Sequence, residues 1–183
     1  VVACACALAM ARSGVQTAVM APTEILAQQH LKTLAPWCEA AGLRIDLLTG
    51  SMGKAQRRSA LALLESGSTS VVVGTHALLV DDVRFRELGL VVVDEQHRFG
   101  VEQRTILREK GHAPHLLVMT ATPIPRSLAL TAFGELDVSV IDELPPGRRP
   151  VTTEIVYGRS SLEAARERFL QEIRSGAQGF VIC

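Results

Sequence analysis

Aromatic side chains are scarce in this chain, making up 4% of its 183 residues. That scarcity disfavours an all-β sandwich and an RNA module that stacks bases on a sheet. An excess of either charge is also missing, with 19 basic side chains against 19 acidic ones. The net charge therefore draws the molecule to neither a polyanion nor a membrane, and any such contact must be local. Cysteine is sparse, and Cys4, Cys6, Cys38 and Cys183 show no metal-type spacing. Cys4 and Cys6, two residues apart on an expected helix, point to different faces, so buried thiols are expected rather than disulfides or zinc. Long apolar runs are absent as well. The opening stretch ends at Arg12, short of the ~20 residues that a membrane helix needs. It also lacks the basic flank and cleavage site of a signal peptide. No membrane partner is expected.

A hydrophobic share of 48% is ample for a packed core and excludes intrinsic disorder. The length suits one domain of ~100–200 residues with a piece of a second. The chain opens on Val1 and stops at Cys183, just after the strand-like Gly179-Phe180-Val181-Ile182, so both ends are expected to be cut from something longer.

Apolar runs of strand length alternate with helix-period segments. Expected strands cover 16–20, 44–48, 70–73, 88–93, 115–119 and 138–141, and expected helices 23–40, 54–66, 101–110 and 124–133. Gly14, Gly42 and Gly67 stand where helices should stop. Val91, Val92 and Val93 are consecutive β-branched residues, which suits a strand buried on both faces of a parallel sheet. The pattern predicts a doubly wound α/β domain over 1–142. Residues 143–150 hold three prolines and a glycine, and read as an interdomain linker. Beyond it, 151–156 suits a strand, and Ser160-Ser161-Leu162-Glu163 a capping box. The helix that follows would bury Leu162, Ala165, Phe169 and Ile173 on one face and end at Gly176, with a last strand from Gly179. Residues 151–183 are thus expected to begin a second α/β domain.

Open α/β sheets bind ligands at the carboxyl ends of their strands. Five expected strands lead there into polar or Gly/Pro turns: Ala21-Pro22-Thr23-Glu24, Thr49-Gly50-Ser51, Gly74-Thr75-His76, Asp94-Glu95-Gln96-His97 and Thr120-Ala121-Thr122-Pro123. The sharpest is Asp94-Glu95 after an unbroken apolar strand. A carboxylate there can hold the water shell of Mg²⁺, and its neighbour can activate a water against a phosphoryl group. This is the Walker B arrangement of P-loop ATPases. Such a site needs a phosphate cradle, G-x-x-x-x-G-K-[ST], which the chain lacks. Gly50-Ser51-Met52-Gly53-Lys54-Ala55 is too short between its glycines, and Ala55 has no hydroxyl for the metal. The cradle is expected upstream of Val1.

Three strings are diagnostic: Asp94-Glu95-Gln96-His97-Arg98-Phe99-Gly100-Val101, Met119-Thr120-Ala121-Thr122-Pro123-Ile124-Pro125-Arg126 and Ile141-Asp142-Glu143-Leu144-Pro145-Pro146-Gly147-Arg148. With Ala21-Pro22-Thr23-Glu24-Ile25-Leu26-Ala27-Gln28-Gln29-His30 and Gly74-Thr75-His76-Ala77, they resemble superfamily 2 helicases over essentially the whole chain. The resemblance is to the bacterial ATP-dependent DNA helicases that remodel stalled forks and Holliday junctions. It implies a RecA-like motor domain of the P-loop NTPase type, ATP and Mg²⁺ as cofactors, branched, single-stranded or double-stranded DNA as partner, and a cytoplasmic, nucleoid-associated location. The parent chain would add the rest of a second motor domain, with its arginine-bearing motif, and a wedge domain. In this reading Asp94 coordinates Mg²⁺ through water, and Glu95 activates the hydrolytic water. Gln96 and His97 link the γ-phosphate to Thr120 and Thr122, with Arg98 assisting the coupling. Pro22, Thr23, Thr49, Gly50, Thr75 and His76 would touch the DNA backbone, which positions a strand without reading its sequence. The 183 residues alone would not hydrolyse ATP.

Two other readings use the same rim. One is the motor of a transcription-repair coupling factor, although those proteins look more like Asp-Glu-Glu where Gln96 stands. The other is a non-catalytic module that binds DNA or protein. Outside the rim, His112 and His115 read as loop and strand-edge residues, Trp37 as a packing residue and Arg148 and Arg149 as linker. Lys54, Arg57 and Arg58 suit a solvated helix face as well as they suit phosphate contacts.

Overall fold

The computed structural model describes residues 1–95, 106–107, 109–121, 137–143, 147 and 151–182. The chain divides into two compact units, Val1–Gly134 and Glu135–Cys183. The first unit runs α1 (Val2–Arg12), β1 (Gln16–Met20), α2 (Glu24–Ala40), β2 (Ile45–Leu48), α3 (Lys54–Glu65), β3 (Val71–Gly74), a 3₁₀ turn (His76–Leu78), β4 (Leu88–Asp94) and β5 (His115–Met119). The five strands form one sheet in the order β2-β3-β1-β4-β5, with every pairing parallel. The doubly wound fold expected from the alternation of strands and helices is the one observed.

Because side chains alternate across a strand, each strand feeds two cores. Ala18 and Met20 of β1, Val72 of β3 and Val91 and Val93 of β4 pack with Leu64 of α3 and Leu78 of the 3₁₀ turn. Val19, Val71, Val73, Leu90 and Val92 face the other way, against Cys4 and Ala7 of α1 and Ala27, Leu34 and Cys38 of α2. Burying each such Val or Leu contributes about 1.5–3 kcal/mol, which is why the valine run of β4 lies inside the sheet with helices on both sides. Helix ends follow the glycines. Gly14 at φ 81° and Gly42 at φ 70° turn the chain left-handed, and the next amides close back on the helices. Val15 N–H reaches the Met10 carbonyl at 3.2 Å, and Leu43 N–H reaches Cys38 at 2.9 Å.

The amino end of the sheet is clamped by Gln16, which is buried. Its Nε2 donates to the carbonyls of Leu64 and Thr69, both at 2.8 Å, and its Oε1 accepts from Glu87 N–H at 3.0 Å. At the opposite end Gly74 lies between β2 and β1, in register with Leu48 and Met20. A Cβ there would run into the Leu48 carbonyl oxygen and the Leu78 side chain. Overpacking of this kind costs about 1–3 kcal/mol, so Gly74→Ala is expected to lower the urea midpoint by that equivalent. An unchanged midpoint would show that the strand tip can absorb a methyl group.

The second unit holds one described helix, Arg159–Arg174. Its cap is Gly158 at φ 80°, with no side-chain cap bond. The expected capping box therefore does not form: the glycine turns the chain into the helix before Ser160, which lies past the cap position. Leu162, on the expected apolar face, is exposed. Residues 138–141, 151–156 and 179–182 form no strands. A strand needs a ladder partner, and the apolar side chains of Val151, Ile155, Phe180 and Ile182 are exposed instead. Much of the 142–150 segment, the helix expected over 124–133 and Cys183 lie outside the described residues. No described helix is long and apolar enough to cross a membrane.

Candidate functional site

Parallel strands bring all five carboxyl ends to one rim. Across it, in sheet order, stand Thr49-Gly50-Ser51 after β2, Thr75-His76 after β3, Ala21 to Glu24 after β1, Asp94-Glu95 at β4 and Thr120-Ala121 after β5. Register places Asp94 opposite Met119, so the exposed Thr120 follows directly beside the carboxylate pair. Gln96, His97, Arg98 and Thr122 lie outside the described residues.

Strand alternation decides where Asp94 points. Leu90 and Val92 face α1 and α2, and Asp94 follows them in step. On α2, Ala27, Leu34 and Cys38 form the buried stripe, and His30 falls on the same stripe at helical spacing. The two meet: His30 Nε2 lies 2.7 Å from Asp94 Oδ2. A carboxylate oxygen accepts, so the imidazole N–H is the donor. Asp94 Oδ1 accepts from the Glu95 backbone N–H at 3.0 Å, so both carboxylate oxygens are oriented by the protein. Glu95 sits at φ 51°, a left-handed conformation that costs a non-glycine residue on the order of 1–3 kcal/mol and is typical of functional turns.

This oxygen site suits Mg²⁺. The Asp94 side chain keeps 19% of its surface accessible, enough for a hydrated ion to reach it. Among the described residues no group of three or more His, Cys, Asp or Glu could cage a metal. Mg²⁺ keeps several waters and takes one or two carboxylates plus substrate phosphates.

The other half of the rim is held by its own bonds. Thr23 caps α2, its hydroxyl accepting from Leu26 N–H at 3.3 Å. The Ser51 N–H donates to Glu24 Oε1 at 3.0 Å, and the Ser51 hydroxyl donates to Glu24 Oε2. These bonds, the hydroxyl's first, hold the Glu24 carboxyl below the usual carboxylate range. Thr49 and Thr75 are buried, whereas Gly50, Ser51 and His76 are exposed and Pro22 and Thr23 half-buried. Surface groups on this half are thus backbone, the His76 imidazole, the Ser51 hydroxyl and the Glu24 carboxylate that Ser51 binds.

His30 was not placed at the site by the sequence analysis, and Glu24 and Ser51, although in its rim turns, were given no role there. A histidine on a stripe of Ala, Leu and Cys was the available signal for the first. Trp37 corrects an expectation: it lies off that stripe and is 60% exposed, so it is not a packing residue. Arg57 pairs with Asp82 at 2.7 Å, while Lys54 and Arg58 are exposed. His112 and His115 are exposed, as a loop and a strand edge require.

The profile of the DEAD/DEAH box helicases matches residues 1–131. The chain belongs to the DEAD/DEAH box helicase family. Among curated members, it is 51% identical over 175 residues to the ATP-dependent DNA helicase RecG of Synechocystis sp., covering 96% of this chain and 21% of that protein. It is 49% identical over 184 residues to the ATP-dependent DNA helicase RecG of Aquifex aeolicus, covering 100% of this chain and 23% of that protein. A solved structure of RecG bound to a three-way DNA junction superposes with a TM-score of 0.85 at 42% identity, covering 100% of this chain and 24% of that one. The chain therefore spans about a fifth to a quarter of these helicases.

Proposed function

We propose that these residues are part of a RecG-type, ATP-dependent DNA helicase of the bacterial cytoplasm and nucleoid that remodels branched DNA in recombination and repair. The observation that carries the reading is the oriented Asp94 carboxylate beside Glu95 and Thr120 on the open rim. The similarity to RecG along the whole chain supports it. Residues 1–142 form the first motor domain without its phosphate cradle, 143–150 the linker and 151–183 the start of the second motor domain. Mg²⁺ with ATP supplies charge neutralisation on the phosphates when bound. Asp94 holds the ion's water shell, and Glu95 takes the proton of the attacking water. Gln96, His97 and Arg98 connect that step to Thr120 and Thr122. Pro22, Thr23, Thr49, Gly50, Thr75 and His76 lie along the DNA backbone. With β1 between β3 and β4, the DNA half and the nucleotide half of the rim adjoin.

The test compares ATP hydrolysis by the full-length protein with and without a three-way DNA junction. Hydrolysis that rises with the junction is the expected result, with none from the 183 residues alone. Junction binding with no hydrolysis in either condition would overturn the motor reading in favour of a binding module.

A further inference from the structure

Helix α2 touches both halves of the rim. At its amino end Thr23 caps the helix, and Glu24 grips Ser51 in the turn after β2. Seven residues beyond the cap, or about 10 Å along the axis, His30 holds Asp94. An imidazole N–H on one carboxylate oxygen restricts rotation of the carboxyl group and directs its remaining lone pairs outward. The Asp94 bond joins two segments separated by 64 residues, and both side chains are largely shielded, at 27% and 19% exposure. Shielding makes such a bond stronger and more directional than one in open water.

We propose that His30 is a positioning residue for the metal-binding carboxylate, and that its Nε2–H···Oδ2 bond sets the orientation in which Asp94 meets a divalent ion. The inference rests on the assignment of Asp94 as the metal-holding group. It makes α2 the element through which the segment facing DNA is mechanically joined to the nucleotide's metal.

The experiment uses the full-length protein with a non-hydrolysable ATP analogue and Mn²⁺ in place of Mg²⁺, with free Mn²⁺ followed by electron paramagnetic resonance. Loss of a hydrogen-bond partner behind a ligand typically weakens metal binding about 10–100-fold. His30→Ala and the ring-conserving His30→Phe should both weaken Mn²⁺ binding to that extent. His30→Gln, which places an N–H donor at similar reach, should restore most of it. If both His30→Ala and His30→Phe bind Mn²⁺ like the wild type while Asp94→Asn does not, the inference fails and the Asp94 assignment stands. If Asp94→Asn also binds like the wild type, the assignment itself fails and the inference with it. Equal weakening in His30→Gln and His30→Ala would show that the hydrogen bond is not the cause, which also overturns the proposal.

Discussion

Glu95→Gln in the full-length protein is expected to lower DNA-stimulated ATP turnover by about 10²–10⁴-fold, the range attributed to a positioned general base. The amide preserves the size of the side chain. It also meets the same backbone demand, because Gln and Glu pay alike for φ 51° at this position. What the variant loses is the ability to accept the water's proton. Asp94, with both oxygens oriented by His30 and the Glu95 N–H, is untouched. Nucleotide affinity should therefore remain near wild type in an equilibrium titration while single-turnover hydrolysis collapses. Turnover at the normal rate would remove Glu95 from the role of base. Weakened nucleotide binding at normal chemistry would make it a binding residue instead.

Gln16→Leu is expected to destabilise the first unit, because Gln16 is buried and its side chain is fully bonded. Leucine fills the space but makes none of the three side-chain bonds to Leu64, Thr69 and Glu87. The Leu64 carbonyl retains the Gly67 amide at 3.1 Å. The Thr69 carbonyl and the Glu87 N–H lose the partner that Gln16 provides. Thr69 is buried whereas Glu87 is exposed, so water can replace Gln16 at the Glu87 N–H. The one buried group left unpaired costs about 1–3 kcal/mol against a typical total stability of about 5–15 kcal/mol. Urea unfolding followed by far-ultraviolet circular dichroism reads this directly. A midpoint equivalent to within about 0.5 kcal/mol of wild type, the usual effect of an inconsequential surface change, would show that the clamp carries no weight.

The features legible in the sequence were those set by neighbours along the chain. β1 and β5 occupy the expected 16–20 and 115–119, and α2 starts after Thr23 as its cap chemistry requires. Strand period, helix period and glycine stops act over a few residues, so local pattern suffices. The position of Asp94-Glu95 at a strand tip was legible for the same reason. The His30 contact was not, because it depends on which face of β4 meets α2, and that depends on the strand order. Gln16 read simply as the first residue of a strand, since its three partners lie 48 to 71 residues away. The apolar segments at 151–156 and 179–182 have strand composition, but composition supplies no partner for the ladder. The misjudged Trp37 shows the reverse error, in which a large apolar side chain is assigned to a stripe that the helix does not bury.

The strand order has a consequence for how the chain is made. Of the five described strands β1 is synthesised before the others, yet its neighbours are β3 and β4. The second of these is complete only at Asp94, which is 94 − 20 = 74 residues after Met20. At translation speeds of about 5–20 residues per second, the nascent strand waits roughly 4–15 s before both its edges are paired. Until then Thr17, Ala18, Val19 and Met20, all buried in the finished sheet, have one edge without its ladder partner.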